Sequence, residues 1–329
     1  MRPRLVVVVG LTAAVVGVVV VGGFAAGHAD AGNNADTQTD RNVNLLAQAR
    51  KRTIEHDYSG VIVVRWRDAG GRDHEAQTLV RYDHGVVEIG GNGHVVTADP
   101  NGLVIDGAPR ADAKYDVTRT TGPKVAGQPT TLLEARRDRD GMLVERFYVD
   151  NGTGLVLRRE SFDGGVLRSS LVFTHLWSNA DQAGLSAERN APTTPQPRRV
   201  SNFASPYRAP ASAGNGFRLL AGWRRPGSVV QLSYSDGLMS ASVFEQAGRL
   251  NWNQLPAGGV AKDVDGHPAF AYSLPVGDVI VWERAGVVYT CVGDVPAQEL
   301  LGLAAGVSRS AHNGTMTRLA RVVLAPFAW

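Results

Sequence analysis

The residues of this chain that could bind a metal or transfer a proton are dispersed along it. No two of its eight histidines lie three or four positions apart, and no His-Glu-x-x-His motif occurs, so no helix face is predicted to hold zinc. His74, His84 and His94 recur every ten residues, which could align them across strands, but we expect solvated side chains beside turns. The other histidines are His28, His56, His175, His267 and His312.

Two acidic motifs, 138–141 and 263–266, read Asp-x-Asp-Gly and resemble fragments of calcium loops. Both lack the later ligands and the bidentate Glu of such a loop, so we predict hairpin turns. No nucleophile elbow, Ser-x-x-Lys motif or phosphate loop occurs, and 90–93 (GGNG) lacks the helix that a dinucleotide fingerprint needs. Cys291 stands among β-formers and is predicted to be buried. The sequence therefore predicts a protein that is not an enzyme, with no metal and no cofactor.

An apolar N-terminal stretch, Leu5 to Ala26, decides where the rest of the chain works. Its 22 uncharged residues are enough for a helix to cross a hydrocarbon core of about 30 Å. Arg2 and Arg4 precede it and the next cation is Arg41, which predicts an N-terminus in the cytoplasm and the remainder outside. Residues 1–31 are either a membrane anchor or a signal peptide cleaved after the A-x-A sequence at 29–31.

Composition limits the partners. The formal charge is only +3, so no nucleic-acid surface is predicted, and an extracytoplasmic location argues against ATP- or NAD-dependent chemistry. A single cysteine cannot form an intrachain disulfide. The chain must therefore be stabilised by packing, which its 43% hydrophobic content allows.

Residues 42–178 are predicted to form a large curved antiparallel sheet, a half-barrel with a covering helix. Asn42 is a candidate N-cap for a helix over 43–55, which we expect in the concavity of the sheet. From Gly60 onward, short β-rich runs alternate with Gly, Asn and Asp turns, which predicts a meander of nine to eleven strands, one of them at 103–106. The looser stretch 110–130 is assigned no strand.

The rest of the chain divides into a linker, a second domain and a tail. Residues 179–215 are rich in Pro, Ser and Thr and are predicted to be a linker. Residues 216–310 are predicted to form a smaller α+β domain with six strands and a helix that begins near Asp294 and Pro296 and ends near 306–308. The tail, 311–329, fits either an amphipathic helix or a last strand. The fold class expected is α+β and β-rich.

Three segments resemble the MucB/RseB family of extracytoplasmic sigma-factor regulators. Residues 232–244 (LSYSDGLMSASVF) are similar to the family's YSDGL…SVF stretch, 292–296 (VGDVP) to its VGELP, and 58–63 (YSGVIV) to its opening strand. The resemblance implies a large domain like the lipoprotein carriers of the LolA/LppX type. It also implies a non-enzymatic role: binding the outer portion of a transmembrane anti-sigma factor and controlling its proteolysis, with lipid or lipoprotein as a possible signal. The long apolar N-terminus departs from the family, in which a cleaved signal is usual.

Two groups of binding residues follow. The alternative function, a lipid or lipoprotein carrier, would use apolar side chains in the concave sheet. The candidates are Val64, Trp66, Leu79, Phe147, Leu157 and Phe173. Ordinary core packing would equally explain apolar residues at these positions. Partner-binding candidates lie in the motif of the second domain and are Tyr234, Asp236, Gly237 and Phe244.

Overall fold

The computed structural model describes most of the chain downstream of residue 37. The described residues are 38–83, 86–91, 94–98, 111, 114–178, 198–200, 203, 206–225, 228–274, 277–310 and 321–322. The predicted apolar segment, the predicted strand at 103–106 and most of the tail lie outside these residues. Within them, no helix is long and apolar enough to cross a membrane.

The first domain is a nine-stranded antiparallel sheet preceded by one helix, α1 (Gln38–Glu55). Its strands are β1 (Tyr58–Arg67), β2 (Asp73–Asp83), β3 (Val86–Gly91), β4 (His94–Ala98), β5 (Tyr115–Thr121), β6 (Thr130–Arg137), β7 (Leu143–Asp150), β8 (Val156–Asp163) and β9 (Val166–Trp177). The spatial order is β4-β3-β2-β1-β9-β8-β7-β6-β5, so β1 pairs with β9 in the middle of an otherwise sequential meander. The predicted meander is confirmed, although β5 occupies a stretch that was assigned no strand.

One face of this sheet, the inner face, is defined by residues paired across four strands. Ile62 lies opposite Phe173, Leu171 lies opposite Arg159, and Arg159 lies opposite Phe147. Cross-strand partners in an antiparallel sheet project to the same side, so these five side chains share that face.

Helix α1 packs on the inner face. Its residues Val43, Leu46 and Ala49 are buried in one apolar cluster with Phe147 and Leu133. A hydrogen bond also joins the helix to the sheet: Thr53 Oγ1 accepts from the Val156 N–H at 3.3 Å. The helix covers the sheet as the sequence predicts.

The N-terminus of α1 differs from the prediction. The helix begins at Gln38, four residues before Asn42, so Asn42 is not its N-cap. The Asn42 side chain is buried and donates to the Val117 carbonyl on β5 at 2.7 Å. A polar residue that suits a helix cap is used here to bind the edge of a sheet.

The second domain is another antiparallel sheet with one long helix, α2 (Ala297–Ser310). Its strands are β10 (Arg198–Arg199), β11 (Ser212–Ala213), β12 (Phe217–Arg225), β13 (Val229–Ser235), β14 (Ser240–Ala247), β16 (Val260–Val264), β17 (His267–Leu274), β18 (Gly277–Arg284) and β19 (Val287–Gly293). The order is β10-β12-β13-β14-β19-β18-β17-β16, with β11 also on β12. The six predicted strands are present.

Three strands of this sheet escaped prediction. β10 and β11 lie in the segment predicted as a linker, and both pair with β12. β12 itself shows no clean alternation, because its register shifts between Leu219 and Ala221. A bulge of this kind hides the period of two on which strand prediction depends.

Helix α2 is held close to the start of β12. A Cβ added at Gly214 would lie 2.1 Å from the carbonyl oxygen of Gly302, so two backbones touch there. The helix extends to Ser310, slightly beyond the predicted end. A short strand β20 (Arg321–Val322) in the tail pairs in parallel with β15 (Arg249–Leu250), which agrees with the strand alternative for those two residues.

The structure predicts a steric role for Gly60 in the YSG segment. A Cβ at Gly60 would lie 2.5 Å from the His175 carbonyl oxygen and 2.7 Å from the Phe173 ring. Gly60→Ala should therefore lower the free energy of unfolding by about 1–3 kcal/mol, as overpacking does. Urea denaturation measures this change in the free energy of unfolding. Gly152→Ala is the control, since its nearest neighbour is an Asp150 carboxylate oxygen at 3.7 Å, and equal losses in both variants would contradict the steric argument.

Candidate functional site at the domain junction

Four carboxylates gather at one end of the second sheet, which we call the acidic end. β13 ends at Ser235 and β14 begins at its cross-strand partner Ser240, so Asp236 lies in the turn between them. β18 starts and β19 finishes at the same end, because Gly293 pairs with both Ala241 of β14 and Asp278 of β18. The acidic end consists of Asp236, Asp278, Asp294 and, in the first turn of α2, Glu299.

Asp236 binds the first domain and its own turn at once. Its Oδ2 accepts hydrogen bonds from Lys114 Nζ and the Tyr115 hydroxyl, both at 2.6 Å. Its Oδ1 accepts from the N–H groups of Leu238 at 3.1 Å and Met239 at 2.8 Å. Burial, and then the charge of Asp236, raise the pKa of Tyr115, so this hydroxyl stays protonated and donates.

The same turn is clamped from α1. Arg50 donates from Nη1 to the Gly237 carbonyl at 3.2 Å and from Nη2 to the Leu238 carbonyl at 2.7 Å. Its guanidinium also lies over the Phe147 ring, 5.3 Å from the centroid. Helix α1 therefore contacts the sheet of one domain and a turn of the other.

Asp294 is at the centre of a buried ionic network. Arg159 Nη1 lies 2.9 Å from its Oδ2, Arg168 Nη2 donates to its Oδ1, and the Ser161 hydroxyl lies 3.2 Å from Oδ2. Arg159 is also bound by Glu145, with Nε–Oε2 at 2.8 Å and Nη2–Oε1 at 3.0 Å. Burial opposes the ionisation of Asp294, but Arg159 and Arg168 outweigh it and hold its pKa below the ordinary value.

The remaining two carboxylates complete the junction. Arg168 Nη1 lies 3.4 Å from Asp278 Oδ2. Glu299 Oε1 accepts from Arg137 at 2.9 Å and from Arg139 at 3.2 Å. An apolar cluster continues beneath these pairs from Phe147 and Tyr115 to Leu238 and Leu303. The junction thus combines a shared core with matched charges, and it holds the two domains in one arrangement.

The apolar candidates of the first domain divide between two faces. Val64 lies opposite Leu171, and Trp66, Phe147, Leu157 and Phe173 lie with it on the inner face. Leu79 pairs with Val61 and projects to the other face. A small cavity beside Val64 is lined by Arg159, Ser161, Ser169, Ser170, Leu171 and Asp294, so charged groups of the junction border it. That these residues bind a ligand stays a prediction.

The motif candidates of the second domain are buried. Asp236 and Gly237 lie in the junction, as described above. Tyr234 donates to the Pro210 carbonyl at 3.1 Å, and Phe244 lies on the opposite face of the sheet, beneath the Arg225 guanidinium. In this arrangement the four serve packing and domain contact, and partner binding by them stays a prediction.

The cations of the junction were missed from the sequence. They are Arg50, Lys114, Arg137, Arg139, Arg159 and Arg168. Each is ordinary in its local pattern, and the second-domain groups that bind them, Asp236 and its turn, Asp278, Asp294 and Glu299, lie more than one hundred residues away. Only Asp236, in the motif, and Asp294, near the predicted start of a helix, carried a sequence signal.

The two Asp-x-Asp-Gly motifs and Cys291 have structural roles. The 263–266 segment is a hairpin turn, with Asp265 and Gly266 at positive φ and Asp263 Oδ1 accepting from Gly266 N at 2.8 Å. The 138–141 segment is likewise a turn, between β6 and β7. Cys291 is buried, which raises the pKa of its thiol. In the described part of the chain, no three His, Cys, Asp or Glu side chains are placed to hold a metal.

The described residues cover the edge strand β5 over only part of its length. Gly122 N donates to the Thr130 carbonyl of the neighbouring β6, so the even-numbered residues of this edge bond inward. The odd-numbered residues Val117, Arg119 and Thr121 therefore direct their backbone groups outward. The Val117 carbonyl is taken by Asn42, whereas Arg119 and Thr121 lie beyond that contact.

Glu245, in the second domain, is a buried acid outside the junction. It lies on β14 opposite Tyr289, and its Oε2 accepts from the Arg208 N–H at 3.1 Å. Burial raises its pKa from 4.5 to about 8, only partly offset by this hydrogen bond.

Comparison with known proteins gives structural neighbours only. No protein-family model matches the chain, and neither does any curated protein. It is similar to the MucA/MucB complex of Pseudomonas aeruginosa, with 19% identity, a TM-score of 0.44, and coverage of 81% of this chain and 98% of that one. It is similar to a structure of MucB, with 21% identity, a TM-score of 0.45, and coverage of 83% and 98%. A lipoprotein-sorting domain from Vibrio parahaemolyticus covers 43% of this chain and 93% of its own length, at 11% identity and a TM-score of 0.21.

The ionic network predicts a large cost for losing Asp294. Asp294→Ala leaves Arg159 and Arg168 buried without this carboxylate, which should lower the free energy of unfolding by about 3–5 kcal/mol in urea denaturation. Amide exchange should accelerate on both sides of the junction, at 159–161 and 236–239. Asp138→Ala is the matched control, because that side chain is exposed. Similar losses in the two variants would contradict the role given to Asp294.

The raised pKa of Glu245 predicts how the stability of the protein changes with pH. Between pH 4.5 and about 8 the folded protein keeps this group protonated, whereas the unfolded chain ionises it. The unfolded state then binds fewer protons, so the contribution of Glu245 to stability falls as pH rises, by at most about 1.4 kcal/mol per pH unit. Glu245→Gln should remove this slope in urea unfolding curves measured across that range. An unchanged slope would contradict the assignment.

Proposed function

We propose that this chain is a non-enzymatic extracytoplasmic regulator that binds the outer portion of a transmembrane anti-sigma factor and controls its proteolysis. The observation that carries the proposal is the position of the most family-specific motif. Residues 232–244 resemble the MucB/RseB family, and Asp236 and its turn are the part of the second domain that binds Lys114, Tyr115 and Arg50. The motif thus joins the two domains.

The proposed partner follows from the same family. A solved structure similar to this chain contains MucB together with MucA, and a second contains MucB in complex with MucA(peri). We propose a corresponding partner here: the extracytoplasmic segment of a single-span anti-sigma factor.

The end of β5 that no described residue covers offers a place for such a segment. An extended peptide can add to an exposed sheet edge through main-chain hydrogen bonds, and a peptide held as a strand is protected from proteases. Arg119 and Thr121 direct backbone groups outward, beyond the contact of Asn42 with Val117. Partner addition would therefore extend the sheet from the point at which α1 stops covering it.

Membrane tethering would make modest contacts sufficient. If residues 1–31 remain as an anchor, this chain and a single-span partner share one bilayer, and their effective concentration is raised. The binding energy required of the edge is then smaller than for two soluble proteins.

The alternative is a lipid or lipoprotein carrier that uses the inner face of the first sheet. Its support is the apolar cluster of Val64, Leu157 and Phe173, with Trp66 packed against it. Against it, the cavity beside Val64 is small and is bordered by the charged groups Arg159 and Asp294. The regulator is therefore the better-supported function.

Affinity capture tests the regulator. The full chain, tagged at its C-terminus and crosslinked in its native membrane, should capture a membrane-spanning protein. Thr121→Pro removes an outward N–H and should reduce the captured amount about tenfold, the loss expected for roughly one hydrogen bond. Proline at this position spares the bonds to β6, because they are made by the even-numbered residues.

Ala261→Pro on β16 is the matched control. β16 and β10 are the two edge strands of the second sheet. Val264 and His267 flank a two-residue turn and form a hydrogen-bonded pair, so the even-numbered residues of β16 bond to β17. Ala261 therefore directs its N–H outward. Capture should be unaffected by this change. Recovery of bound lipid without any membrane-spanning protein would reject the regulator and favour the carrier.

A further inference from the structure

One stretch of the chain is basic and has no acid to balance it. Between Glu188 and Asp236 there is no Asp or Glu, while seven arginines occur. They are Arg189, Arg198, Arg199, Arg208, Arg218, Arg224 and Arg225. An overall charge of only +3 therefore conceals a strongly positive segment.

The fold concentrates part of this charge at one edge of the second sheet. β10 is the outermost strand and pairs with β12, with Arg198 opposite Arg224 and Arg199 opposite Trp223. Arg198, Arg199 and Arg224 are exposed, and none of the described residues forms an ion pair with them. We call these three residues the arginine edge.

Like charges directly opposite one another destabilise a strand pair. The β1–β2 hairpin instead places an acid opposite each of two exposed arginines. On the β1–β2 hairpin, Arg65 lies 2.6 Å from Glu75 and Arg67 lies 2.7 Å from Asp73. Among the described residues no acid compensates the Arg198–Arg224 pair, so an anion brought by a partner would relieve its repulsion.

We propose that the arginine edge binds an extended acidic segment of a protein partner, which under the proposed function is part of the anti-sigma factor. Arg198 and Arg224 project to one face of the sheet and Arg199 to the other, because neighbouring residues of a strand alternate. A strand lying along β10 presents side chains on both faces and could bring carboxylates to all three. A bilayer presents its charges in one plane, which matches this arrangement less well.

Fluorescence anisotropy tests the inference with the full chain in a non-ionic detergent. The probe is a labelled peptide of alternating Glu and Thr, compared with one of alternating Lys and Thr. The Glu peptide should bind and the Lys peptide should not, and raising salt from about 50 mM to about 300 mM should weaken the binding. The triple variant R198Q/R199Q/R224Q should bind the Glu peptide at least about tenfold more weakly.

The matched control is R65Q/R67Q/R72Q, which removes the same charge from three paired arginines on the β1–β2 hairpin. It should bind the Glu peptide like the unaltered chain, and urea unfolding midpoints establish that both triple variants fold. Equal binding by the arginine-edge variant would overturn the proposal. The proposal would also fail if the chain bound micelles containing short-chain phosphatidylglycerol more tightly than the Glu peptide and the arginine-edge variant lost this preference. That result would assign the edge to a membrane.

Capture from the native membrane separates this inference from the proposed function. If the unaltered chain captures its partner and R198Q/R199Q/R224Q captures it equally well, the arginine edge is rejected and the regulator stands. If no membrane-spanning partner is captured, the regulator is rejected, while the peptide titration still decides whether the edge binds acidic segments.

Discussion

The buried ion pairs of Asp294 with Arg159 and Arg168 are the contacts on which the arrangement of the molecule depends. Two guanidinium groups on the inner face of a sheet would be costly if left unpaired, since desolvation penalises each charge. The second domain supplies the carboxylates that make this burial tolerable, and Glu145 satisfies Arg159 from within the first domain. Neither domain presents an electrostatically complete surface without the other, so the two-domain arrangement is specified by charge as well as by apolar contact.

The Asp236 turn adds a second kind of contact to the same junction. One oxygen caps its own turn by accepting two backbone N–H groups, while the other accepts from Lys114 and Tyr115. The motif through which the chain resembles the MucB/RseB family is thus a device for shaping a turn and docking it. Its burial also explains why the motif shows no surface chemistry of its own.

The edges of the two sheets are where the molecule offers unsatisfied groups. Asn42 covers part of β5, and β10 and β11 pair with β12. The groups that no described residue satisfies there include backbone donors and acceptors on β5 and arginine side chains on β10 and β12. These groups can bind a chain that they do not chemically alter, which is consistent with a protein that acts by binding.

The sequence by itself determined the β-rich character, the first meander, the covering helix and the helix of the second domain, because turn residues and apolar periodicity are local signals. Tertiary structure decided the rest. β12 was hidden by its bulge, and Leu79 was placed on the wrong face because its side depends on pairing with Val61. The sequence places Asp294 near the start of a helix, which the structure begins at Ala297, but does not reveal it as the partner of Arg159 and Arg168. Electrostatic pairing between distant residues leaves no mark on the local pattern of either.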